Sequence, residues 1–320
     1  MTGKKSMKTR NPAIDRMRAI GIILVIAAHC GFPEWFQRLR DFDVVLLMFC
    51  SGMSFGLSSH PEERPGRYIM RRFRRLVLPV WKFLVFFFLF FAVCGRVFTL
   101  PQIAESFMLL AGGILFVWVY RVFFTSSLCN PFLKKIAEKP FWKVLCSVLF
   151  SLILNDLLYL HLFSDSGMIG KMLSYLVTYT VGYAAVSLLG IASDQWNTSR
   201  RLIAAGVFGA IFSVFLVYTR SADLYAYKYP PLLYYLSYGI LWSEVLSCLL
   251  AKKPASRCTE WLSMHAMDIF LWHIFGYYLM GTFNPSMLDQ MWLCFSILLG
   301  TGILGAFLQE QFQRIWKARK

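Results

Sequence analysis

The sequence predicts an all-α protein, a polytopic transmembrane bundle of about ten helices forming a single domain over residues 1–320. Three observations lead there. The 320 residues are 58% hydrophobic and 17% aromatic but only 16% charged, a balance that water-soluble domains do not have. Apolar runs long enough to cross a ~30 Å hydrocarbon layer recur along the whole chain. The basic residues that remain alternate strongly between successive loops, as the positive-inside rule requires.

Taken in order, the first span is expected over 17–33. Its basic start imitates a secretory signal, but no small-residue cleavage site follows, so it reads as an uncleaved helix. Apolar runs place the second at 43–59 and the third at 77–95, just beyond an arginine-rich flank. The fourth, 106–132, is interrupted by Arg121. The fifth to seventh are expected at 142–160, 170–190 and 202–218. The eighth, 231–250, starts on a pair of prolines suited to a first helical turn. The ninth and tenth follow at 262–281 and 290–308.

With these spans, the termini and the loops near 60–75, 133–143, 191–201 and 251–261 carry 25 Lys and Arg residues, and the loops on the other side carry 6. Both termini are therefore expected in the cytoplasm. The same partition explains the net charge of +16 as topology, and nucleic-acid binding is not expected. The 8 cysteines are scattered singly without a C-x-x-C pair, which favours buried free thiols. Phosphate-binding glycine loops, G-x-S-x-G elbows and H-E-x-x-H pairs are absent from the sequence, which sets aside the usual soluble enzyme classes.

An ionisable group at mid-bilayer costs at least ~2.5–3.5 kcal/mol, so each needs a partner, a watery cavity or a task. These groups are His29, Lys82, Arg121, Glu244, Asp268 and His273. Lys82 lies near the cytoplasmic end of its helix and can snorkel. Arg121 and Glu244 can pair across helices, with substrate binding by Glu244 as the other reading. His29 is too deep to snorkel, and eleven helical residues bring it round to within ~20° of Arg18 while rising ~16 Å. A neutral histidine there can accept a proton near pH 7, although a structural hydrogen bond is the commoner use of a lone membrane histidine. In 71-RRFRRLVLP-79, Arg71, Arg72, Arg74 and Arg75 crowd the start of the third helix. That is more positive charge than topology needs, and arginine suits bidentate binding of a phosphate-rich ligand.

These residues carry a family resemblance. The chain is similar over nearly all of its length to the integral-membrane acyltransferase-3 family, whose members typically move an acyl group from cytoplasmic acyl-coenzyme A to an envelope glycan or related acceptor. The most specific part is 15-DRMRAIGIILVIAAH-29, with Asp15, Arg18 and His29 at the family's spacing. Arg71-x-x-Arg74 and Arg72-x-x-Arg75 both fit its paired-arginine motif. Further matches are Ser51-Gly52 in 48-MFCSGM-53, Trp118 in 114-ILFVWVYRVFF-124, Tyr227 and Tyr229 in 227-YKYPPLLYYLSYG-239, and His273 in 271-LWHIF-275. Met53 departs from the family's usual aromatic after Ser-Gly.

The resemblance implies that the arginines hold the nucleotide phosphates of acyl-coenzyme A, with acetyl-coenzyme A the expected form, at the cytoplasmic mouth. Ser51 and Trp118 would line the donor's path, and the thioester would reach His29 at mid-membrane. His29 would act as general base on the acceptor hydroxyl, with direct transfer and an acyl-enzyme both open. Asp15, three residues before Arg18, is at a spacing from which it can orient that guanidinium. His273, Tyr227, Tyr229 and Glu244 are the candidate acceptor-binding residues. For 225-YAYKYPP-231 an interfacial aromatic belt is the safer reading and stacking on a sugar face the other. A metal at His265 and Asp268 is not expected, because further ligands do not follow at matching spacing. The resulting expectation is a bacterial inner-membrane acyltransferase acting on a carbohydrate-containing envelope acceptor. Its rivals are a transporter or flippase that uses the same polar path, and an acyltransferase relic that only binds.

Overall fold

The computed structural model describes residues 10–58, 64–163, 168–254 and 256–318. Lys4, Lys5, Lys8, Arg319, Lys320 and the side chain of Lys171, all counted in the charge partition, lie outside the described residues. Among the described residues the structure is helical and has no strand beyond one isolated bridge.

The first helix begins earlier than expected. α1 runs Pro12–Ala27, with Asn11 as N-cap accepting from the Ala13 amide at 3.0 Å and proline at the first helical position. It also ends earlier. Gly31 adopts φ +62°, and Pro33 disfavours helical backbone at the residue before it, so 28–33 is a turn and not the last part of a span. A short α2 (Glu34–Arg40) leads into α3 (Asp43–Leu57). The arginine flank is itself a helix, α4 (Pro65–Leu76), which passes into α5 (Leu78–Val93) at a break beside Pro79. The expected helix over 106–132 is two helices, α6 (Leu100–Phe107) and α7 (Trp118–Ala137), with irregular backbone between them. Gly112 and Gly113 lie in that break. Leu109 and Phe116 there take left-handed backbone at φ +56° and +70°, a sparsely populated region for such side chains. The remaining helices are α8 (Phe141–Leu158), α9 (Met168–Ser193), α10 (Thr198–Thr219), α11 (Leu233–Leu250), α12 (Arg257–Met264), α13 (Ala266–Phe283) and α14 (Met291–Ala318).

Among the described residues, six helices are long and apolar enough to cross a membrane: Pro65–Val93, Phe141–His161, Leu173–Ser193, Thr198–Thr219, Leu233–Leu250 and Met291–Ile315. The chain is a multi-pass membrane protein. Its outer helices present bare apolar side chains, as lipid permits: Phe150 on α8, Val217 on α10 and Leu308 on α14 are exposed. The interior is built from α1, α3, α9 and α11. α1 and α3 have 16 and 15 residues, about 24 and 22 Å of helix, which is short of the hydrocarbon thickness. They can be short because neighbouring helices surround them.

Close approach of α3 and α9 depends on glycine. A β-carbon on Gly52 would stand 2.3 Å from the Ser187 carbonyl oxygen, and one on Gly190 the same distance from that of Phe49. Met53, beside Gly52, is buried in the core.

Two sets of polar contacts close the ends of the bundle. At one end Arg10 pairs with Asp15 at 2.6 Å and with Glu260 at 3.4 Å. Arg16 donates to the carbonyls of Leu250, Lys253 and Pro254, at and just beyond the end of α11. Trp261 and His265 both reach Glu310. The chain's beginning, the start of α12 and the last turns of α14 thus gather at one end. At the other end Lys228 meets Asp41 at 2.9 Å, and Arg40 meets Asp43 at 2.6 Å. Burial pulls the Lys228 ammonium down, but Asp43, Tyr229 and Asp41 together outweigh it and hold the group above its ordinary value.

Candidate active site

A cavity of about 360 Å³ opens between α1, α3, α4, α7 and α13, within the roughly 300–1,000 Å³ range of ligand pockets. Its two ends differ in chemistry. Arg71, Arg72 and Arg75 of α4 and Arg18 of α1 line one end with Ser51, Ser54 and Ser58. Ile22, Val25, Val44, Leu47, Val119 and Phe270 are among the apolar side chains lining the rest. Four guanidinium groups thus face one space, and none of the described residues lining it is acidic.

Each cation is held in place by a different device. Arg18 donates to the Ser54 hydroxyl at 2.5 Å and to the Cys50 carbonyl at 3.4 Å. Asp15 does not orient it: both carboxylate oxygens of Asp15 accept from Arg10, at 2.6 and 2.8 Å. Arg72 donates to the Tyr68 hydroxyl at 3.1 Å, and that hydroxyl donates to the Ser127 carbonyl of α7 at 2.6 Å. The Arg72 guanidinium also lies over Phe55 at 5.6 Å, and Arg71 over Tyr68 at 5.4 Å. Arg74 is turned away from this cavity. With Arg67 and Met70 it lines a shallower hollow along the exposed side of α4, which Arg71 and Arg75 border as well. Of the two arginine pairs that fit the motif, Arg72 and Arg75 both face the cavity, and Arg71 does so without Arg74.

His29 is two residues beyond the last residue of α1, not in the middle of a span, so the angular argument that aligned it with Arg18 does not reach it. Val25, four residues earlier, lines the cavity's apolar end. The half-buried His29 ring stacks on Phe116 at 3.7 Å and 22°, and lies 5.5 Å from the ring of His273 at 11°. His273 is fully buried on α13, and neither of its nitrogens has a hydrogen-bond partner among the described residues. The pairing joins two residues that sequence reasoning had placed in different roles. Phe116 was missed altogether. It reaches His29 because the backbone before it folds back, with the Ile114 amide donating to the Ser106 hydroxyl at 2.8 Å and the Leu115 amide to the Tyr278 hydroxyl at 3.1 Å.

Trp118, Tyr227, Tyr229 and Glu244 do not line the cavity. Trp118 packs edge-on against Tyr179 at 5.3 Å and Tyr229 at 5.8 Å, and so joins an aromatic wall and not the donor cavity. Tyr227 packs against Tyr234 at 5.1 Å. Glu244 is buried between α9 and α11, where it accepts from Ser193 at 2.8 Å, and its expected pairing with Arg121 does not form. The signal for that placement was weak in the sequence, because Ser193 looks like any small residue near a helix end. Asp268 is held by Gln309 at 2.9 Å and lies 3.3 Å from His265, tying α13 to α14.

The geometry defines a multi-pass helical membrane protein with an internal cavity, apolar along most of its walls and cationic at one mouth. The chain belongs to the acyltransferase-3 family, whose acyltransferase domain it matches over residues 11–308. Neither a curated protein nor a solved structure matches it.

Proposed function

We propose that this acyltransferase works in the bacterial inner membrane, taking an acetyl or other short acyl group from cytoplasmic acyl-coenzyme A and moving it to a hydroxyl of a carbohydrate-containing envelope acceptor. The observation that carries this reading is the cavity mouth, where the guanidinium groups of Arg18, Arg71, Arg72 and Arg75 converge on one space. Such a mouth is complementary to a ligand with several phosphates, which arginine binds by charge-assisted and bidentate hydrogen bonds. The apolar walls beyond it suit the long pantetheine arm.

The proposed orientation follows the charge partition. The six long helices together with α1, α3, α7 and α13 make ten crossings, which returns both termini to the cytoplasmic side with the α4 arginines. The ion pairs joining Arg10 to Glu260 and the contacts of α12 with Glu310 support a common side for those segments.

In the proposed reaction the acceptor hydroxyl loses its proton to His29 as its oxygen attacks the thioester carbonyl. The carbon–sulfur bond then breaks, the coenzyme leaves as thiolate and takes up the proton from the imidazolium, and the acceptor leaves as an ester. Arg18, on α1 at the mouth, would hold the donor in register. The test uses purified protein in nanodiscs with acetyl-coenzyme A carrying labelled acetyl, and follows free thiol and labelled product separately, alongside ester analysis of envelope glycans from cells with and without the gene. Transport of an envelope precursor without thiol release would replace this reading with the flippase.

A further inference from the structure

The first turns of α7 divide their side chains between two spaces. Val119 and Phe123, four residues apart, line the donor cavity. Trp118, Arg121 and Thr125 share the other face, which turns to α9: Thr180 donates to the Thr125 hydroxyl at 3.0 Å, and Trp118 meets Tyr179. Arg121, three residues from Trp118 and four from Thr125, shares this face by helical spacing and is within electrostatic range of Tyr179.

Thirteen residues separate Arg121 from Lys134 at the basic end of the helix, about 20 Å of rise, and six separate it from Ser127, which receives Tyr68 of α4, about 9 Å, so Arg121 lies beyond the α4 contact toward the opposite end of α7. It is half-buried and has no hydrogen bond or ion pair among the described residues. An arginine there without a counter-ion among the described residues is costly unless an anion or water meets it. The aromatic wall on this face runs from buried Tyr179 to the exposed Tyr229, Tyr175 and Tyr225. Tyr175 meets Tyr179 at 5.8 Å, and Tyr225 meets Tyr229 at 5.4 Å.

We propose that Arg121 and Trp118, with Tyr179 and Tyr229, form a subsite for a saccharide that carries a carboxylate or phosphate next to its ring. The proposal rests on the acyltransferase reading above and narrows its acceptor to an anionic one. The guanidinium supplies the fork for the anion. The aromatic faces supply an apolar surface for the C–H face of a pyranose, and their polar edges remain free for its hydroxyls. A lipid phosphate could meet the same guanidinium, but it would have no use for the ring-lined wall.

The test measures binding to purified protein in nanodiscs of neutral lipid, with methyl β-glucuronide and methyl β-glucoside as probes, by titration of tryptophan fluorescence. The wild type should prefer the glucuronide by about tenfold, Arg121→Gln should bind both alike, and Trp118→Leu should weaken both together. Should the Gln variant fail to fold, Arg121→Lys carries the same test, its preference falling between the two. Equal binding of both probes by the wild type, absence of binding, or an unchanged preference in the variants overturns the proposal. So does an Arg121-dependent gain in thermal stability that appears only with phosphatidylglycerol, since that assigns the guanidinium to a headgroup. Acyl-coenzyme A binding is measured in parallel, and its absence removes the acyltransferase reading while leaving the glycoside result to stand or fall alone.

Discussion

The imidazole of His29 lies 5.5 Å from that of His273, with the two rings within 11° of parallel and Phe116 stacked on His29 at 3.7 Å. The two residues come from opposite ends of the chain, and α1 and α13 bring them together. Neither buried nitrogen of His273 makes a well-formed hydrogen bond among the described residues, and only the backbone of Ile269 and Phe270 is within reach, so its desolvation penalty is offset at most in part.

That penalty gives the first prediction. His273→Phe keeps a stackable ring and removes two unsatisfied polar atoms, so the folded protein should be at least as stable as the wild type, by up to about 1–3 kcal/mol. If His273 serves the reaction, turnover should nevertheless fall. Thermal unfolding in detergent and product formation are measured on the same preparation. A variant with wild-type turnover would reduce His273 to packing.

His29 gives the second. A removed general base should cost on the order of 10²–10⁴-fold in rate and leave donor binding nearly intact. His29→Gln retains much of the volume and stacking on Phe116 but cannot take the proton, so it should be as inactive as His29→Ala. Substantial turnover by a folded Gln variant would sink the general-base assignment.

How much of this could be read from the sequence depended on whether the signal was local. Helical class, several spans and the arginine cluster are properties of short stretches, and those readings match α3, α8, α10, α11 and α13 closely. The misplaced boundaries of α1 also had local signs, Asn11-Pro12 at its start and Gly31 with Pro33 at its end, but the apolar run masked them. The same is true of Gly112-Gly113, which breaks 106–132 in two. What could not be read is rotation. In a helix surrounded by lipid and other helices nearly every face is apolar, so the pattern does not say that Arg74 turns away from Arg75, that Trp118 faces α9, or that Glu244 finds Ser193. Those depend on contacts between distant segments.

Gly52 provides a test of the packing that holds the cavity wall. A β-carbon there meets the Ser187 carbonyl oxygen at 2.3 Å, and backbone on backbone has little room to yield. Gly52→Ala should therefore push α3 from α9 and destabilise by about 1–3 kcal/mol. Because α3 also carries Ser51, Ser54 and Phe55 on the cavity, donor affinity should fall with it. A wild-type melting temperature would mean that the two helices tolerate more separation than this geometry allows.

The α4 arginines provide the most discriminating prediction, because the helix sorts them. Arg72 faces only the cavity, Arg71 and Arg75 border both spaces, and Arg74 faces only the outer hollow. Arg72 is moreover pre-positioned, since its Nε–H is fixed on Tyr68 and its guanidinium plane lies over Phe55, which leaves its remaining N–H groups for a ligand. If these groups bind the donor's phosphates, each lost charge-assisted contact is worth about 1.5–3 kcal/mol, roughly tenfold to a hundredfold in affinity. Arg72→Ala and Arg75→Ala should show that loss for acyl-coenzyme A, and Arg74→Ala should stay close to wild type. Lys at 72 should recover only part, since it keeps the charge without the fork or the stacking. Tyr68→Phe should fall between, because it frees the Arg72 side chain without removing it. Dissociation constants measured by calorimetry for the five variants in one nanodisc composition decide the matter. Equal losses at 72, 74 and 75 would mean that the cluster acts through its overall charge alone, and no loss at any of them would leave it a topology signal.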